Sequence, residues 1–538
     1  MEFECLDIPP ASPVMAAYKD DEQFINTYFD YKPDDTGYRE RLSELDGREF
    51  DRDGLCNAVR AFMEPLGISE RTAVHLEELR SGAPVVIGGQ QAGILTGPLY
   101  SVNKALSVIL EAKRLREALG RPVVPVFWIA GEDHDLAEIN HVNVISGCRT
   151  EKKQFPMVPG LKTTASATRF DKDLMSGFIR EVFRSYGETA HTAGLLQTAE
   201  ECLEGNETFT AFFAALINRL LGEEGLLLMD AADPAIRQLE RNHFAAMIRR
   251  SEEIAQGTAE TEQRFSEDGF GRPVGAEPDA ANLFYVEDGE RFLLSRKDGR
   301  FVNEQAGISF TERELLDIAE SEPERLSNNV VTRPVMQDLV FPVLGFVGGP
   351  GEIAYWALLR PAFRALGINM PVVIPRSSFT FVTRRAAGLL GETGLDARAV
   401  LGGAAASKRE ELLARIHDHG AEEEIDRLEA QLAEGYAGLA GKLEGKGRGL
   451  PALAGLNLEY HSRQFDWLKD RIRESVMLEH ETALSRFDLL EAELLPEGGF
   501  QERKYTPFQF MNEYGPGLFR DLLRAAPDRA GIHLLVRI

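Results

Sequence analysis

Apolar positions in the first 80 residues recur at three- and four-residue spacing, clearest in Tyr38–Leu45 and Leu55–Met63, and this stretch reads as helical. The pattern then changes. Pro84-Val-Val-Ile-Gly-Gly89 is a short apolar run, and Gln90-Gln-Ala-Gly-Ile-Leu-Thr-Gly-Pro98 is a glycine-bearing turn. A helix over Ser101 to Leu119 would bury Val102, Leu106, Ile109, Leu110 and Ala112. Gly120-Arg-Pro122 stops it before the strand Val123-Val-Pro-Val-Phe-Trp-Ile129. This is a βαβ unit. In a parallel sheet, ligands bind beyond the carboxyl ends of the strands, so the residues that follow each strand are the first candidates for chemistry.

The alternation resumes with an amphipathic helix, Phe209 to Leu221, and a buried strand, Gly225-Leu-Leu-Leu-Met-Asp230. A second strand-turn-helix-strand unit follows: Val340 to Glu352, a helix from about Ile353 to Leu366, and Val372-Val-Ile-Pro375. Residues 1–380 therefore read as one doubly wound α/β core with insertions at about 146–205 and 240–330. The second insertion carries Asp288-Gly289 and Asp298-Gly299 between strand-like pieces, which signals antiparallel hairpins. A linker is expected over 381–406 and a charged α-helical coiled-coil arm over 407–495. A final segment, 496–538, would return to the core and end in a strand at His533–Ile538.

Within the arm, Ile425, Leu428, Leu432, Leu439 and Leu443 form one apolar stripe. Phe465, Leu468, Ile472, Val476, Ala483, Phe487, Leu490 and Leu494 form another, which predicts an antiparallel helical hairpin. A single helix from Tyr460 to Leu495 would run about 50 Å. Such an arm suits a homodimer contact.

The 538 residues allow a sizeable core, and no apolar run approaches a membrane span. Met1-Glu-Phe-Glu-Cys-Leu-Asp7 has neither a basic leader nor an apolar signal core, which predicts a cytoplasmic location. The formal charge of -26 repels polyanions and argues against nucleic acid as a partner. Cys5, Cys56, Cys148 and Cys202 are scattered, with no disulfide or zinc-knuckle spacing. His134, His141 and Cys148 do not converge as zinc ligands, and no resident metal is expected.

Three regions carry candidate chemistry. In the first turn, Gly89, Gly93 and Gly97 permit close backbone approach. Gln90, Gln91 and Thr96 offer neutral hydrogen-bonding groups ahead of the helix that begins near Tyr100 and carries Lys104. The turn resembles a phosphate cradle, or it packs a helix on a strand; it matches neither GxGxxG nor GxxxxGK[ST]. After the second strand, Glu132, Asp133, His134 and Asp135 stand together. They could bind an ammonium group or magnesium, with His134 as general base, while one of the aspartates caps the helix expected over Leu136–Val142. The third region joins Asn329 and Arg333 to Gly349, Gly351, Glu352, Tyr355 and Arg376. Two guanidinium forks and a phenol suit a carboxylate ligand, although Arg376 could equally be a salt bridge at the sheet edge.

Four motifs in order carry a resemblance over essentially the whole chain: Gly88-Gly-Gln-Gln-Ala-Gly-Ile-Leu-Thr-Gly-Pro-Leu-Tyr100, Phe127-Trp-Ile-Ala-Gly-Glu-Asp-His-Asp135, Ser327-Asn-Asn-Val-Val-Thr-Arg-Pro334 and Gly349-Pro-Gly-Glu-Ile-Ala-Tyr-Trp356. Together they resemble the BshC family, the cysteine-adding enzymes of bacillithiol biosynthesis. The resemblance implies a Rossmann-like core related to nucleotidylyltransferases and a dimerising coiled coil. It also implies a ligase that joins the carboxyl group of cysteine to the amine of glucosaminyl-malate. Amide formation is uphill in water, so ATP with Mg2+ is expected to activate the acyl group. The HxGH and KMSKS signatures of the nucleotidylyltransferases do not stand here: the first turn reads Gln90-Gln-Ala-Gly93 and Pro375-Arg-Ser-Ser378 is a loose echo. From the residues alone, two other classes stay open: a metal-dependent hydrolase built on Glu132–Asp135, and a non-catalytic metabolite-binding dimeric partner protein.

Overall fold

The computed structural model describes residues 1–10, 12–157, 162–416, 419–527 and 531–538; residues 158–161 of the first expected insertion and 417–418 of the expected arm lie outside it. The core is a five-stranded parallel sheet of β1 (Val85–Gln90), β2 (Val124–Ile129), β3 (Leu227–Asp230), β4 (Val343–Gly348) and β5 (Val372–Pro375), in the order β5-β4-β1-β2-β3. The chain winds outward from β1 to β3, returns to the other side of β1 and continues to β5. Winding reverses between β1 and β4, the Rossmann-like arrangement that opens a crevice at the carboxyl ends of those two strands. Val85, Val86, Ile87, Val126, Phe127, Leu227 and Leu228 are all fully buried, which is why these strands read as unbroken apolar runs.

Helix α1 (Tyr100–Leu119) joins β1 to β2 and is stopped by Gly120 in a left-handed conformation at φ 65°. Helix α2 (Pro234–Arg249) follows β3, and its amino terminus is capped by Asp233. The second insertion then forms an antiparallel sheet from Ala280–Glu287, Glu290–Lys297, Arg300–Asn303 and Ile308–Thr311, with Leu326–Asn328 paired to the first of these. Both Asp-Gly pairs sit at positive φ, 50° and 79° at Asp288-Gly289 and 51° and 74° at Asp298-Gly299, as two-residue hairpin turns require. Leu326–Asn328 leads through Asn329 into α3 (Thr332–Val340), and α4 (Pro350–Trp356) opens directly after β4.

Several sequence expectations need correction. The first 80 residues are not wholly helical: Glu2–Leu6 is a strand antiparallel to His533–Arg537, which also pairs in parallel with Ser378–Val382. The helix expected over Leu136–Val142 ends at Ile139, and His141–Ser146 is a strand with Val142 and Val144 buried. Alternating β-branched residues favour that extended form. The helix expected from Ile353 to Leu366 is two helices, α4 and Arg360–Ala365, with Pro361 in the first turn of the second. The segment 381–406 is no linker; it holds the end of a strand and the helices Arg384–Thr393 and Ala397–Leu401.

The chain divides into two compact units, residues 1–145, 151–383 and 499–538 in one, and 146–150 and 384–498 in the other. In the second unit, His419–Leu443 and Leu450–Glu479 run antiparallel. Arg473 meets Glu422 at 2.5 and 3.0 Å, Lys469 meets Asp426 at 2.5 Å, and Tyr436 bonds Asn457, a register fixed by pairs that descend on one helix as they ascend on the other. The helix expected to reach Leu495 breaks at His480, where φ and ψ are -104° and 10°, and Glu481–Leu494 is separate.

Candidate active site

The crevice between β1 and β4 is organised by Lys104. Its buried ammonium group donates to the Gly89 carbonyl at 2.6 Å, to Gln90 Oε1 at 2.9 Å and to the Glu352 carboxylate. Glu352 also accepts from the Gly349 backbone N–H at 2.9 Å, so one carboxylate caps α4 and meets the cation of α1. Burial pushes the Lys104 pKa down and outweighs the opposing pull of Glu352. A Cβ on Gly351 would meet open space, so packing does not require glycine there.

The first turn folds inward. A Cβ on Gly89 would lie 2.2 Å from the Trp128 carbonyl oxygen, and one on Gly93 would lie 2.6 Å from the Gly97 Cα. Packing thus accounts for these glycines without a ligand. Leu95 and Thr96 are both left-handed, at φ 50° and 70°, a conformation rare for residues with side chains. The hydroxyls of Thr96 and Ser101 are buried and, among the described residues, without a hydrogen-bond partner. Tyr100 heads α1, half-buried near Gln90 and Arg376.

Arg376, just past β5, grips Glu502 with both Nη atoms at 2.8 and 2.6 Å. Glu502 also accepts from Asn103 at 2.7 Å and Ser378 at 3.1 Å, so the sheet-edge salt bridge is the contact Arg376 makes here. Arg333 on α3 differs. Its Nη2 donates to the Tyr355 hydroxyl at 2.5 Å, and it has no carboxylate in salt-bridge contact among the described residues. Burial pushes the Tyr355 phenol up to about 12 against the lowering effect of Arg333. Asn329 shapes the approach to Arg333: its side-chain oxygen accepts from the N–H groups of Val331 and Thr332 at 2.9 and 3.2 Å.

At the end of β2, Glu132 points inward. Its carboxylate accepts from Arg237 of α2 at 2.5 Å and from the Ser327 hydroxyl at 2.7 Å. Burial pushes its pKa up, but Arg237 and Arg291 outweigh that and hold it below the ordinary carboxylate range. Arg237 also pairs with Glu240 at 2.5 Å, and burial lifts Glu240 to about 7. Glu132 therefore fastens β2 to α2 and to the 326–328 strand.

Asp133 turns the other way and accepts from Gln91 at 2.7 Å, which connects the turns after β1 and β2. It also accepts from the Asp135 backbone N–H at 3.2 Å, while Asp135 makes no side-chain cap on the short helix it precedes. His134 is half-buried, its ring edge-on to Phe284 at 5.8 Å. Its Nδ1 lies 3.3 Å from Nη1 of Arg291. A guanidinium only donates, so Nδ1 is the acceptor and the neutral ring carries its proton on Nε2. Burial and the Arg291 charge lower the His134 pKa, against Asp133 and Asp135.

Lys104 is thus joined to Gln90 and Glu352, and Gln91 to Asp133, at the carboxyl ends of the strands, whereas Glu132 and Arg376 are taken up by buried salt bridges; Arg333 senses both Glu352 and Glu132. Sequence reasoning missed Arg237, Arg291 and Glu502, which contact candidate residues from distant segments, together with Glu240 behind Arg237 and Asn103 beside Lys104 on α1. No three His, Cys, Asp or Glu side chains among the described residues come together as a metal donor set. No helix among them is long and apolar enough to cross a membrane.

Comparison with known proteins extends over both units. Residues 1–377 match the family model described as the N-terminal Rossmann-like domain of BshC of bacillithiol biosynthesis, and residues 379–538 match its C-terminal coiled-coil domain. A Lysinibacillus sphaericus protein is 47% identical, covering 97% of each chain. A Geobacillus kaustophilus protein is 37% identical over the full length of both. A Staphylococcus carnosus protein is 35% identical over 93% of both. All three bear the name "Putative cysteine ligase BshC". With both of its domains matched in order and near-complete coverage by these relatives, the chain belongs to the BshC family of bacillithiol biosynthesis.

Proposed function

We propose that this protein is a cysteine ligase that joins the carboxyl group of cysteine to the amine of glucosaminyl-malate, with ATP as the activating cosubstrate. What carries the proposal is the near full-length similarity to proteins named cysteine ligases, combined with a crevice at the point where winding reverses. A cysteine carboxylate oxygen would attack the α-phosphorus of ATP, forming an acyl-adenylate and expelling pyrophosphate, or the γ-phosphorus, forming an acyl-phosphate and expelling ADP. The sugar amine would then displace AMP or phosphate from the acyl carbon and lose a proton.

The residues divide these tasks. Asp133, which faces the crevice, suits an ammonium group better than Glu132, whose carboxylate is held by Arg237. Arg333 is available for a malate carboxylate. Thr96 and Ser101 offer unpartnered hydroxyls beside Lys104 for nucleotide phosphates. Lys104 would steady the charge that develops there. Magnesium would enter with the nucleotide, bound through its phosphates. The protein would work in the cytoplasm as a homodimer paired through the coiled coil, where Leu439, Leu453, Leu456, Tyr460 and Trp467 are exposed.

The test is mass spectrometry of the protein with glucosaminyl-malate, cysteine, Mg2+ and ATP, omitting each in turn. Thiol product with stoichiometric nucleotide cleavage is expected, AMP marking an adenylate and ADP an acyl-phosphate. Product formed equally without nucleotide would remove ATP from the scheme, and no product despite substrate binding would refute the ligase.

A further inference from the structure

Among the described residues, Arg41, Arg237 and Arg291 are each buried to more than nine-tenths. Arg41 is paired with Asp338 and Glu44, and Arg237 with Glu132 and Glu240. Arg291, on the hairpin strand Glu290–Lys297, has no carboxylate in salt-bridge contact among the described residues. Its Nη2 donates to the Asn328 carbonyl at 2.6 Å and its Nη1 to His134 Nδ1 at 3.3 Å. Its guanidinium carbon stands 3.9 Å from the centroid of the Phe284 ring, and its Nε has no hydrogen-bond partner among the described residues. Glu132 and Asp133 act on this cation only from beyond salt-bridge distance, and a buried cation without a direct counter-ion is costly, which an incoming anion would relieve. The buried side-chain oxygen of Asn328, whose carbonyl Arg291 meets, is also without a donor among the described residues. Two orphans of opposite kind thus stand on contacting residues: a guanidinium N–H at Nε and an acceptor that wants an N–H or O–H.

We propose that Arg291 is the seat for a substrate carboxylate next to His134, and that the ligand's own hydrogen-bond donor meets Asn328. This rests on the ligase reading and deepens it, because both substrates of that reaction are carboxylates bearing donor groups. The planar guanidinium on Phe284, with Nη2 fixed on the Asn328 carbonyl, keeps Nε–H and the remaining Nη protons for a carboxylate, a directional set that a lysine ammonium could not reproduce. Arg291 is then a binding residue contributed by the antiparallel insertion, and the insertion completes the crevice.

Titration calorimetry of the full-length protein with glucosaminyl-malate, L-cysteine and L-malate, and with methyl glucosaminide as a probe lacking a carboxylate, tests this. Arg291→Gln is expected to weaken at least one carboxylate probe at least ~10-fold and leave methyl glucosaminide unchanged, with Arg291→Lys intermediate. The probe that weakens identifies whether the carboxylate comes from the sugar acid or the amino acid. Melting curves of both variants establish folding, and Arg291→Lys carries the test if Arg291→Gln does not fold. Wild-type affinities for all three carboxylate probes in a folded variant would overturn the proposal. Arg291-dependent binding of L-malate alone, with no binding of glucosaminyl-malate or cysteine, would refute the ligase reading and leave the carboxylate seat standing. No binding of any probe to the wild type would overturn both.

Discussion

Gln91 donates to Asp133 at 2.7 Å, and this one bond joins the turn after β1 to the turn after β2. The two polar clusters that the sequence places 42 residues apart are thereby one surface. Asp133→Asn keeps the hydrogen bond's geometry and removes the charge. It is expected to raise the KM for cysteine ~10-fold with little change in melting temperature. Gln91→Ala should move the same constant in the same direction by less. Steady-state kinetics with cysteine varied checks both, and an unchanged KM in Asp133→Asn would take the ammonium role away from this carboxylate.

Arg333 touches the Tyr355 phenol and has no salt-bridged carboxylate among the described residues. Arg333→Lys should raise the apparent KM for glucosaminyl-malate several-fold more than that for cysteine, because a point charge replaces a fork. Equal effects on the two substrates would remove Arg333 from malate recognition.

Glu132 is an internal tie, so its loss should be read in stability before activity. Glu132→Gln leaves Arg237 with Glu240 alone, and breaking one partner of a buried pair costs about 3–5 kcal/mol. The sign with pH is set by the lowered folded-state pKa of Glu132. Its contribution is fully present above the ordinary glutamate value of about 4.3 and is lost as pH falls through the lower folded value. Denaturant melts of wild type and Glu132→Gln should therefore converge in acid, and a constant gap across pH would contradict the assignment.

His134 should titrate below the ordinary histidine value of about 6.5, because burial and Arg291 both oppose its protonation. The imidazole is then neutral at physiological pH, and any acid limb of the rate profile that it governs lies below that value. NMR titration of the His134 ring gives the value directly, with Arg291→Gln expected to shift it upward. His134→Ala should lower kcat by ~100-fold with a smaller effect on either KM.

The exposed apolar residues of the helical hairpin predict self-association. Deleting residues 407–495 should convert a dimer to a monomer in sedimentation velocity, and an unchanged dimer would exclude the coiled coil as the interface. Trp467→Glu, at a 56% exposed site, should weaken the dimer without unfolding the core unit.

The parallel core was legible because β1, β2 and β4 are continuous apolar runs with glycine at or just past their ends, and the second insertion because Asp288-Gly289 and Asp298-Gly299 admit few alternatives to a hairpin. The Glu2–Leu6 strand was not legible: its charged residues alternate on an edge, and its partner lies at the far end of the chain. Nor was the break at His480, where neither proline nor glycine stands. Local density marked Glu132 to Asp135 as a site, yet only the fold separates the inward Glu132 from the crevice-facing Asp133. Arg291 left almost no trace. It is one charged residue in a short strand, and its meaning arises from meeting His134 across 157 positions.

That meeting bears on timing. In the resting protein the one lone pair that the His134 ring could offer to a proton is already covered by the Arg291 guanidinium. A ring in that condition activates no water. On the ligase reading proposed above, an acyl group made ready in such a crevice would be spared hydrolysis until a substrate bearing its own nucleophile drew the guanidinium aside, and the arginine over the imidazole would serve as a safety catch.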